Sequence, residues 1–141
     1  MQQVLIERDF DQPVDRLFDY LSEHENLGVI FPMRVERVRD GQNGARNGVG
    51  SVRRLSMRGL MPFEETVTSV EPNRRIEYRI TKGTPLRGHR GEMLFSERDG
   101  GGSHLRYEIV FGAAVPGIDR VVAASLRRSI AKGLDTVAAQ A

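Results

Sequence analysis

A period-two alternation of apolar and polar residues between Ser51 and Phe111 constrains the fold more than any other feature of the sequence. It is clearest near the end of this stretch, where every second residue is apolar: Leu105, Tyr107, Ile109 and Phe111. Strict alternation is typical of antiparallel strands that cover one face of a sheet and leave the other face in water. We therefore predict an antiparallel sheet with one buried face.

Turn-forming clusters divide the chain into separate strands. Glycine, proline and asparagine interrupt the alternation at GLMP, EPNRR, KGTPLRG and DGGGS, and such clusters mark turns. Two further alternating segments precede this region. The predicted strands are Val4–Phe10, Val35–Arg39, Ser51–Arg58, Phe63–Val70, Ile76–Thr81, His89–Glu97 and Leu105–Phe111.

Helical periodicity flanks the predicted sheet. A first helix is predicted from Pro13 to about Ser22, with Asp11 as its cap, and a second short helix in HENLGVIFP ends before Pro32. After Gly117 a long helix is predicted from a stripe of apolar residues: Ile118, Val122, Leu126, Ile130 and Val137. A helix of about 20 residues is about 30 Å long, enough to lie along a concave sheet and enclose a cavity.

Composition excludes several classes of function. The 141 residues form one domain of ordinary size and contain no cysteine, which excludes disulfides, thiolate metal sites and a cysteine nucleophile. The net charge is only +2, and arginines interleave with glutamates, so no nucleic-acid partner is expected. Neither a signal peptide nor an apolar run of roughly 20 residues is visible. We expect a cytoplasmic protein without a membrane span.

The order of elements resembles the helix-grip fold of the START and pollen-allergen-like superfamily, SRPBCC. The matching segments are FDQPVDRLFDYLSEHENLGVIFP, VTSVEPNRRIEYRI, GEMLFSERDGGGSHLRYEI and AAVPGIDRVVAASLRRSI. The nearest likeness is to its bacterial polyketide cyclase/dehydrase branch. This resemblance implies an α+β fold, in which a curved antiparallel sheet wraps around a long C-terminal helix, and an internal cavity for a lipid, polyketide or quinone. It implies no catalytic residue, because the superfamily has no universal catalytic motif.

The three histidines are assigned different environments. His24 is predicted to be solvated between Glu23 and Glu25, and His104 to be exposed at a hairpin tip. His89 shares its parity with Met93 and Phe95, so it is expected to line one end of the cavity, although a structural histidine at a strand end fits the same pattern. No histidine spacing is typical of a metal site, so no metal is expected.

Glu64 and Glu65 are adjacent, and neighbours in a strand point to opposite faces. Glu65 shares its parity with Phe63 and Val67, which favours Glu65 as the inward residue. The register stays open, because Val67 and Val70 can both face inward only if the strand contains a bulge.

Glu65, Ile80 and His89 are predicted to form a row across three neighbouring strands. Strands lie about 4.8 Å apart, which places Glu65 about 10 Å from His89. This separation favours two polar anchors for one ligand over a direct acid–base pair.

These predictions lead to three hypotheses for function. The first is the binding of a small hydrophobic or aromatic ligand, with no cofactor, by residues that face the cavity: Phe31, Glu65, Tyr78, His89, Met93, Phe95, Tyr107, Phe111 and Leu126. The second is a polyketide cyclase or dehydratase in which Glu65 and His89 move protons. The third is an accessory protein that binds a partner through its exposed helix face. The sequence leaves open whether the protein is a monomer or a homodimer.

Overall fold

The computed structural model describes residues 1–59, 61–84 and 86–141. Leu60 in the predicted GLMP turn and Pro85 in the predicted KGTPLRG turn lie outside the described residues. Short 3₁₀ segments occupy His24–Val29 and Gln42–Gly44. The helices and strands are β1 (Gln2–Phe10), α1 (Val14–Ser22), β2 (Arg34–Arg39), β3 (Val52–Ser56), β4 (Phe63–Glu71), β5 (Arg75–Lys82), β6 (Leu86–Glu97), β7 (Ser103–Ala113) and α2 (Ile118–Gln140).

The strands form one antiparallel sheet in the order β1-β7-β6-β5-β4-β3-β2. Strands β2 to β7 follow one another as a meander, and β1 closes the sheet beside β7. The alternating residues of β7 are buried on the face that meets the helices. The α+β helix-grip fold expected from the sequence is therefore confirmed.

Helix α1 buries the stripe that its periodicity predicts: Val14, Leu17, Phe18 and Leu21. The predicted cap is wrong, because no side chain caps this helix and the N-cap position is Pro13. The fixed φ of proline, here −58°, prepares the first turn, and the carbonyl of Pro13 accepts a hydrogen bond from the Leu17 N–H at 3.1 Å.

The second predicted helix is the 3₁₀ segment His24–Val29, and α2 packs closely against its end. Ser129 Oγ donates a hydrogen bond to the Ile30 carbonyl at 2.5 Å. A Cβ atom on Gly133 would lie only 2.5 Å from Ile30 Cα, so glycine is required for this approach.

The buried face of α2 differs from the predicted stripe. Ile118 is 44% exposed, while Val122 and Leu126 are only partly buried. The close contact at Gly133 and Ser129 orients the helix, so that other residues form its buried face: Ala123, Ile130, Gly133, Leu134 and Val137. Among the described residues, no helix combines the length and the apolar character that crossing a bilayer requires.

A bulge in β4 resolves the register that the sequence left open. The pairing of β4 with β5 shifts between Val67 and Ser69. Val67 is buried and Val70 packs against the core, as two residues of opposite parity can do only across such a bulge.

Candidate functional site

The inner face of the sheet carries a cluster of polar side chains in an otherwise apolar interior. We call Arg53, Glu65, Tyr78, His89 and Tyr107 the buried polar cluster. Arg53 and Glu65 are 3% and 4% exposed, and the two tyrosines are 1% exposed. Arginine and glutamate are almost never buried to this extent unless they are paired.

Arg53 and Glu65 face each other on adjacent strands, β3 and β4. The Nε–H of Arg53 donates to Glu65 Oε1 at 2.8 Å, and the guanidinium carbon lies 4.6 Å from the centre of the Tyr78 ring. Within the part of the chain that the structure describes, the terminal Nη groups of Arg53 donate no hydrogen bond. The guanidinium therefore has N–H groups left over that can donate hydrogen bonds to an oxygen atom of a ligand.

Glu65, rather than Glu64, is the inward carboxylate. Glu64 lies on the opposite face and forms an ion pair with Arg54 at 2.9 Å, with 46% of the Arg54 side chain exposed. The adjacent pairs Arg53–Glu65 and Arg54–Glu64 thus have the same chemistry on opposite faces of one strand pair.

A second bulge directs His89 toward the cluster. Two residues of β6, Gly88 and His89, lie opposite a single residue of β7, Phe111. Gly88 has a φ of +61°, a conformation that favours glycine. The regular pairing of β5 with β6 ends at Tyr78 and Gly91. Beyond that point the Ile80 N–H donates to His89 Nδ1 at 3.0 Å, so the imidazole replaces a backbone acceptor.

His89 lies closer to Glu65 than the strand spacing predicts. His89 Nε2 is 4.0 Å from Glu65 Oε2, so the predicted separation of about 10 Å is wrong. Strand spacing measures backbones, whereas these two side chains extend toward each other across β5. The two groups are therefore direct neighbours, whereas the strand spacing favoured two separate anchors.

The hydrogen bond from Ile80 fixes the tautomer of His89. Because Nδ1 accepts, the neutral ring carries its proton on Nε2, facing Glu65. Burial lowers the pKa of His89, Glu65 opposes this shift, and Arg53 and Arg79 add to it. His89 is therefore a neutral hydrogen-bond donor near pH 7, with no free lone pair for use as a base.

Tyr78 and Tyr107 complete the cluster. Their hydroxyl groups hydrogen-bond each other, and burial raises the pKa of both. The Tyr78 ring also lies near His89, with 5.6 Å between ring centres. Both tyrosines stay neutral, and each can donate or accept a hydrogen bond.

His24 is fully buried, so the prediction that it is solvated is wrong. Ser51 Oγ donates to the Gly48 carbonyl at 2.7 Å, and therefore accepts from His24 Nε2 at 3.1 Å. His24 Nδ1 has no partner among the described residues. Burial, with a contribution from Arg53 and Arg37, lowers the pKa of His24 to about 3. The tight turn of the 3₁₀ segment points the ring at Ser51, just before β3, and so buries it. The flanking glutamates, Glu23 and Glu25, had suggested a solvated position instead.

His104 lies at the start of β7 and is partly exposed, with 32% of its side chain accessible. Its Nδ1 lies 2.6 Å from Asp9 Oδ1 and its Nε2 3.1 Å from Glu7 Oε1. These hydrogen bonds raise the pKa of His104. The structure places it on β7 beside β1, outside the cluster.

The apolar residues predicted to contact a ligand fill the interior. Met93 lies opposite Tyr107, and Phe95 lies opposite Leu105. Of the predicted residues outside the buried polar cluster, Phe31, Met93, Phe95 and Phe111 are at most 5% exposed, whereas Leu126 is partly buried. Two surface grooves lie elsewhere, one of about 610 Å³ beside Pro13 and Asn73 and one of about 570 Å³ between β1 and α2. None of the predicted residues lines these two grooves.

Arg53 is the functional candidate that sequence reasoning missed. The available signal was its parity: Ser51, Arg53 and Leu55 occupy the inward positions of one strand segment. An arginine at such a position requires a buried acid as a partner. In the described parts of the chain, no three histidine, cysteine, aspartate or glutamate side chains are grouped so that they could hold a metal ion.

Comparison with known proteins identifies the architecture. The profile of a family described as polyketide cyclase / dehydrase and lipid transport matches residues 1–141. Among curated proteins, none matches the sequence.

Solved structures share the fold at low sequence identity. XoxI from Bacillus cereus is 13% identical with a TM-score of 0.72, over 99% of this chain and 97% of that protein. The Aha1 dimer from Colwellia psychrerythraea is 13% identical with a TM-score of 0.70, over 97% and 93% of the two chains. The di-domain ARO/CYC protein BexL from the BE-7585A biosynthetic pathway is 19% identical with a TM-score of 0.67, over 94% of this chain and 45% of BexL.

Proposed function

The chain belongs to the polyketide cyclase/dehydrase and lipid transport family, and we propose that it binds a small apolar or aromatic ligand that carries an oxygen function. The apolar part of the ligand would lie among Met93, Phe95 and Phe111. Its oxygen would accept hydrogen bonds from the Nη groups of Arg53 and the Nε2–H of His89. Such a division between an apolar lining and a few polar anchors is typical of small-molecule sites.

The burial of the Arg53–Glu65 ion pair carries this proposal. Both side chains are removed from water, at 4% and 5% side-chain exposure. A buried ion pair contributes little to stability, because desolvation offsets the attraction between the charges. The neighbouring Arg54–Glu64 pair shows that arginine and glutamate can also pair on the outer face of these strands, without being buried. Packing therefore does not account for the burial of the inner pair, whereas a ligand that accepts hydrogen bonds from Arg53 gives this pair a function.

Binding requires the closed interior to open. The side chains that would contact the ligand are packed together, so they must move apart to admit it. Met93 can adapt because its unbranched side chain has several rotatable bonds. The ligand would then replace contacts that these residues now make with one another.

Two measurements test this proposal. Native mass spectrometry of freshly purified protein should detect a co-purified small molecule. Titration with the aromatic sulfonate 1-anilinonaphthalene-8-sulfonate should saturate at one site. Replacing the inner pair in Arg53→Met/Glu65→Leu should weaken this binding by about tenfold or more, since charge-assisted hydrogen bonds are lost.

The outer pair supplies the matched control. Arg54→Met/Glu64→Leu makes the same chemical change on the opposite face and should leave probe binding unaltered. Equal binding by both double variants would exclude the buried polar cluster as the anchor. Absence of both saturable binding and a co-purified molecule would overturn the proposal.

The contact between His89 and Glu65 favours a second candidate, an enzyme of the cyclase or dehydratase type. Glu65 would accept a proton from the carbon beside a ketone, and Arg53 and the Nε2–H of His89 would hold the resulting enolate oxygen. His89 acts here as a donor, because Ile80 occupies its other nitrogen. Deuterium exchange into 4-phenyl-2-butanone, followed by NMR, should be accelerated by the protein and lost in Glu65→Gln. Retained exchange in Glu65→Gln would exclude this role, and Glu64→Gln is the control.

A further inference from the structure

The two ends of the sheet differ in their surface chemistry. At one end the chain passes from β3 to β4, from β5 to β6 and from β7 to α2. We call the segments 57–59, 61–62, 82–84, 87 and 114–121, together with Met1, the apolar end. These segments are neighbours: a Cβ atom on Gly83 would lie 2.6 Å from the Pro62 carbonyl, and one on Gly112 would lie 3.0 Å from Met1 Sδ.

Apolar side chains are concentrated in solvent at this end. Nine large apolar side chains of the described residues are exposed, and six of them lie here: Met1, Met57, Met61, Val115, Ile118 and Val121. Met61 is 80% exposed and Val121 is 71% exposed, so these side chains protrude rather than line a groove. Toward the opposite end, two exposed large apolar residues lie among the described residues, Val49 and, near the end of β2, Val38. Concentrated exposure of this kind marks an interaction surface.

Charge is distributed unequally between the two ends as well. Four exposed basic residues surround the apolar side chains: Arg58, Lys82, Arg87 and Arg120. None of these four forms an ion pair with a residue that the structure describes. Asp119 is the single acid in the segments of the apolar end. The connecting segments of the opposite end instead carry acids and bases in equal number: Asp11, Asp40 and Asp99 against Arg46, Arg74 and Arg98.

We propose that the apolar end docks on the surface of a membrane that contains anionic lipids. Protruding methionine and valine side chains can enter the boundary between headgroups and acyl chains, and the surrounding cations attract anionic headgroups. The opposite end, where acids and bases balance, lacks this attraction, so the apolar end faces the membrane. Glu65 and His89 lie near the starts of β4 and β6, so the docked end is the one nearest the buried polar cluster.

The geometry favours a lipid surface over a folded protein partner. The exposed apolar residues come from separate segments, and basic residues are their neighbours in the sequence, as Arg58 follows Met57 and Arg120 precedes Val121. Such spaced, protruding side chains fit a fluid interface, which closes around each of them. A complementary protein surface would instead require a continuous patch with satisfied polar groups at its rim.

Vesicle flotation tests the proposal with the intact protein. The protein should float with phosphatidylcholine vesicles that contain phosphatidylglycerol, should float much less with phosphatidylcholine alone, and should be released by high salt. Met61→Asp/Val121→Asp should lower the bound fraction by about tenfold or more. Arg58→Gln/Arg120→Gln should lower it by about tenfold, through the loss of two cations.

Leu5→Asp/Val49→Asp is the matched control, because it places the same acids at exposed apolar positions outside the apolar end. This control should float like the unmodified protein, and circular dichroism should show that all variants are folded. Failure of the unmodified protein to float with anionic vesicles overturns the proposal, as does an equal loss in the control. Concentration-dependent dimers that Met61→Asp/Val121→Asp abolishes, without vesicle binding, would assign this end to a second copy. Probe binding in lipid-free solution is measured separately, so either proposal can fail alone.

Discussion

The ring of Tyr78 lies directly over Gly91, its partner on the adjacent strand. A Cβ atom on residue 91 would lie 2.2 Å from Tyr78 Cζ, well inside van der Waals contact. Glycine therefore lets the tyrosine lie flat against β6 and reach Tyr107, with which it shares a hydrogen bond between hydroxyl groups. The absence of a side chain at residue 91 positions one member of the buried polar cluster.

Gly91→Ala should lower the free energy of unfolding by about 1–3 kcal/mol, because the added methyl group forces the Tyr78 ring out of place. Urea denaturation measures this loss. In a Tyr78→Leu background, the same alanine should cost much less, because the ring it meets is gone. An equal cost in both backgrounds would show that the ring is not the obstacle.

Arg53→Met alone should destabilise the protein by about 3–5 kcal/mol, because it leaves Glu65 charged and unpaired in the interior. Arg53→Met/Glu65→Leu removes both charges and should cost no more than about 1 kcal/mol. Chemical denaturation of the two variants provides the comparison. If the double variant is as unstable as the single one, the pair holds the fold together and its burial needs no ligand to explain it.

His24 should make stability depend on pH. In the folded protein its pKa is about 3, lowered from 6.5, so between these pH values the unfolded chain binds a proton at this residue and the native state does not. The contribution of neutral His24 to the free energy of unfolding is present above pH 6.5 and is lost progressively as the pH falls toward 3. Between pH 7 and pH 5 the loss should be about 2 kcal/mol. His24→Gln keeps a donor for Ser51 without titrating, and denaturation at both pH values should show a smaller pH dependence. An unchanged dependence would assign it to other groups, such as His89, whose pKa is also lowered.

Two positions of the predicted α2 stripe, one turn apart, should differ in their tolerance of charge. Ile130 is 1% exposed, so Ile130→Asp should cost about 3–5 kcal/mol by burying an unpaired carboxylate. Leu126→Asp should cost about 1 kcal/mol, because that position is only partly buried and water can reach the charge. Thermal unfolding distinguishes the two variants. A greater loss for Leu126→Asp than for Ile130→Asp would mean that Leu126 is the more deeply buried of the two, contrary to the observed packing.

His89 should be observed by NMR as a neutral ring protonated on Nε2. Nitrogen chemical shifts distinguish the tautomers, and the ring should titrate below the ordinary pH range of histidine, because burial lowers its pKa. In Glu65→Gln the pKa of His89 should fall further, because the nearby negative charge that opposes the shift is removed. A His89 that titrates normally and ignores Glu65→Gln would remove the contact on which the second candidate function depends.

Local patterns in the sequence were sufficient for the fold and for one side of the site. The alternation of Leu105, Tyr107, Ile109 and Phe111 predicts their burial, because the strand period is two whatever the surroundings. The parity shared by Glu65, Phe63 and Val67 likewise predicts which of the two glutamates faces inward. In α1 the stripe from Val14 to Leu21 predicts the buried face, because a short helix has one apolar side to cover.

Tertiary contacts decided the features that depend on distant segments. The contact between His89 and Glu65 depends on a bulge at Gly88 and on the end of strand pairing at Gly91, and neither follows from the residues nearby. His24 is buried because its 3₁₀ turn meets Ser51, 27 positions away, whereas its immediate neighbours are glutamates. The orientation of α2 depends on the approach of Gly133 to Ile30. Sequence periodicity reports which residues share a face, and only packing between elements decides which face is covered and which buried groups meet.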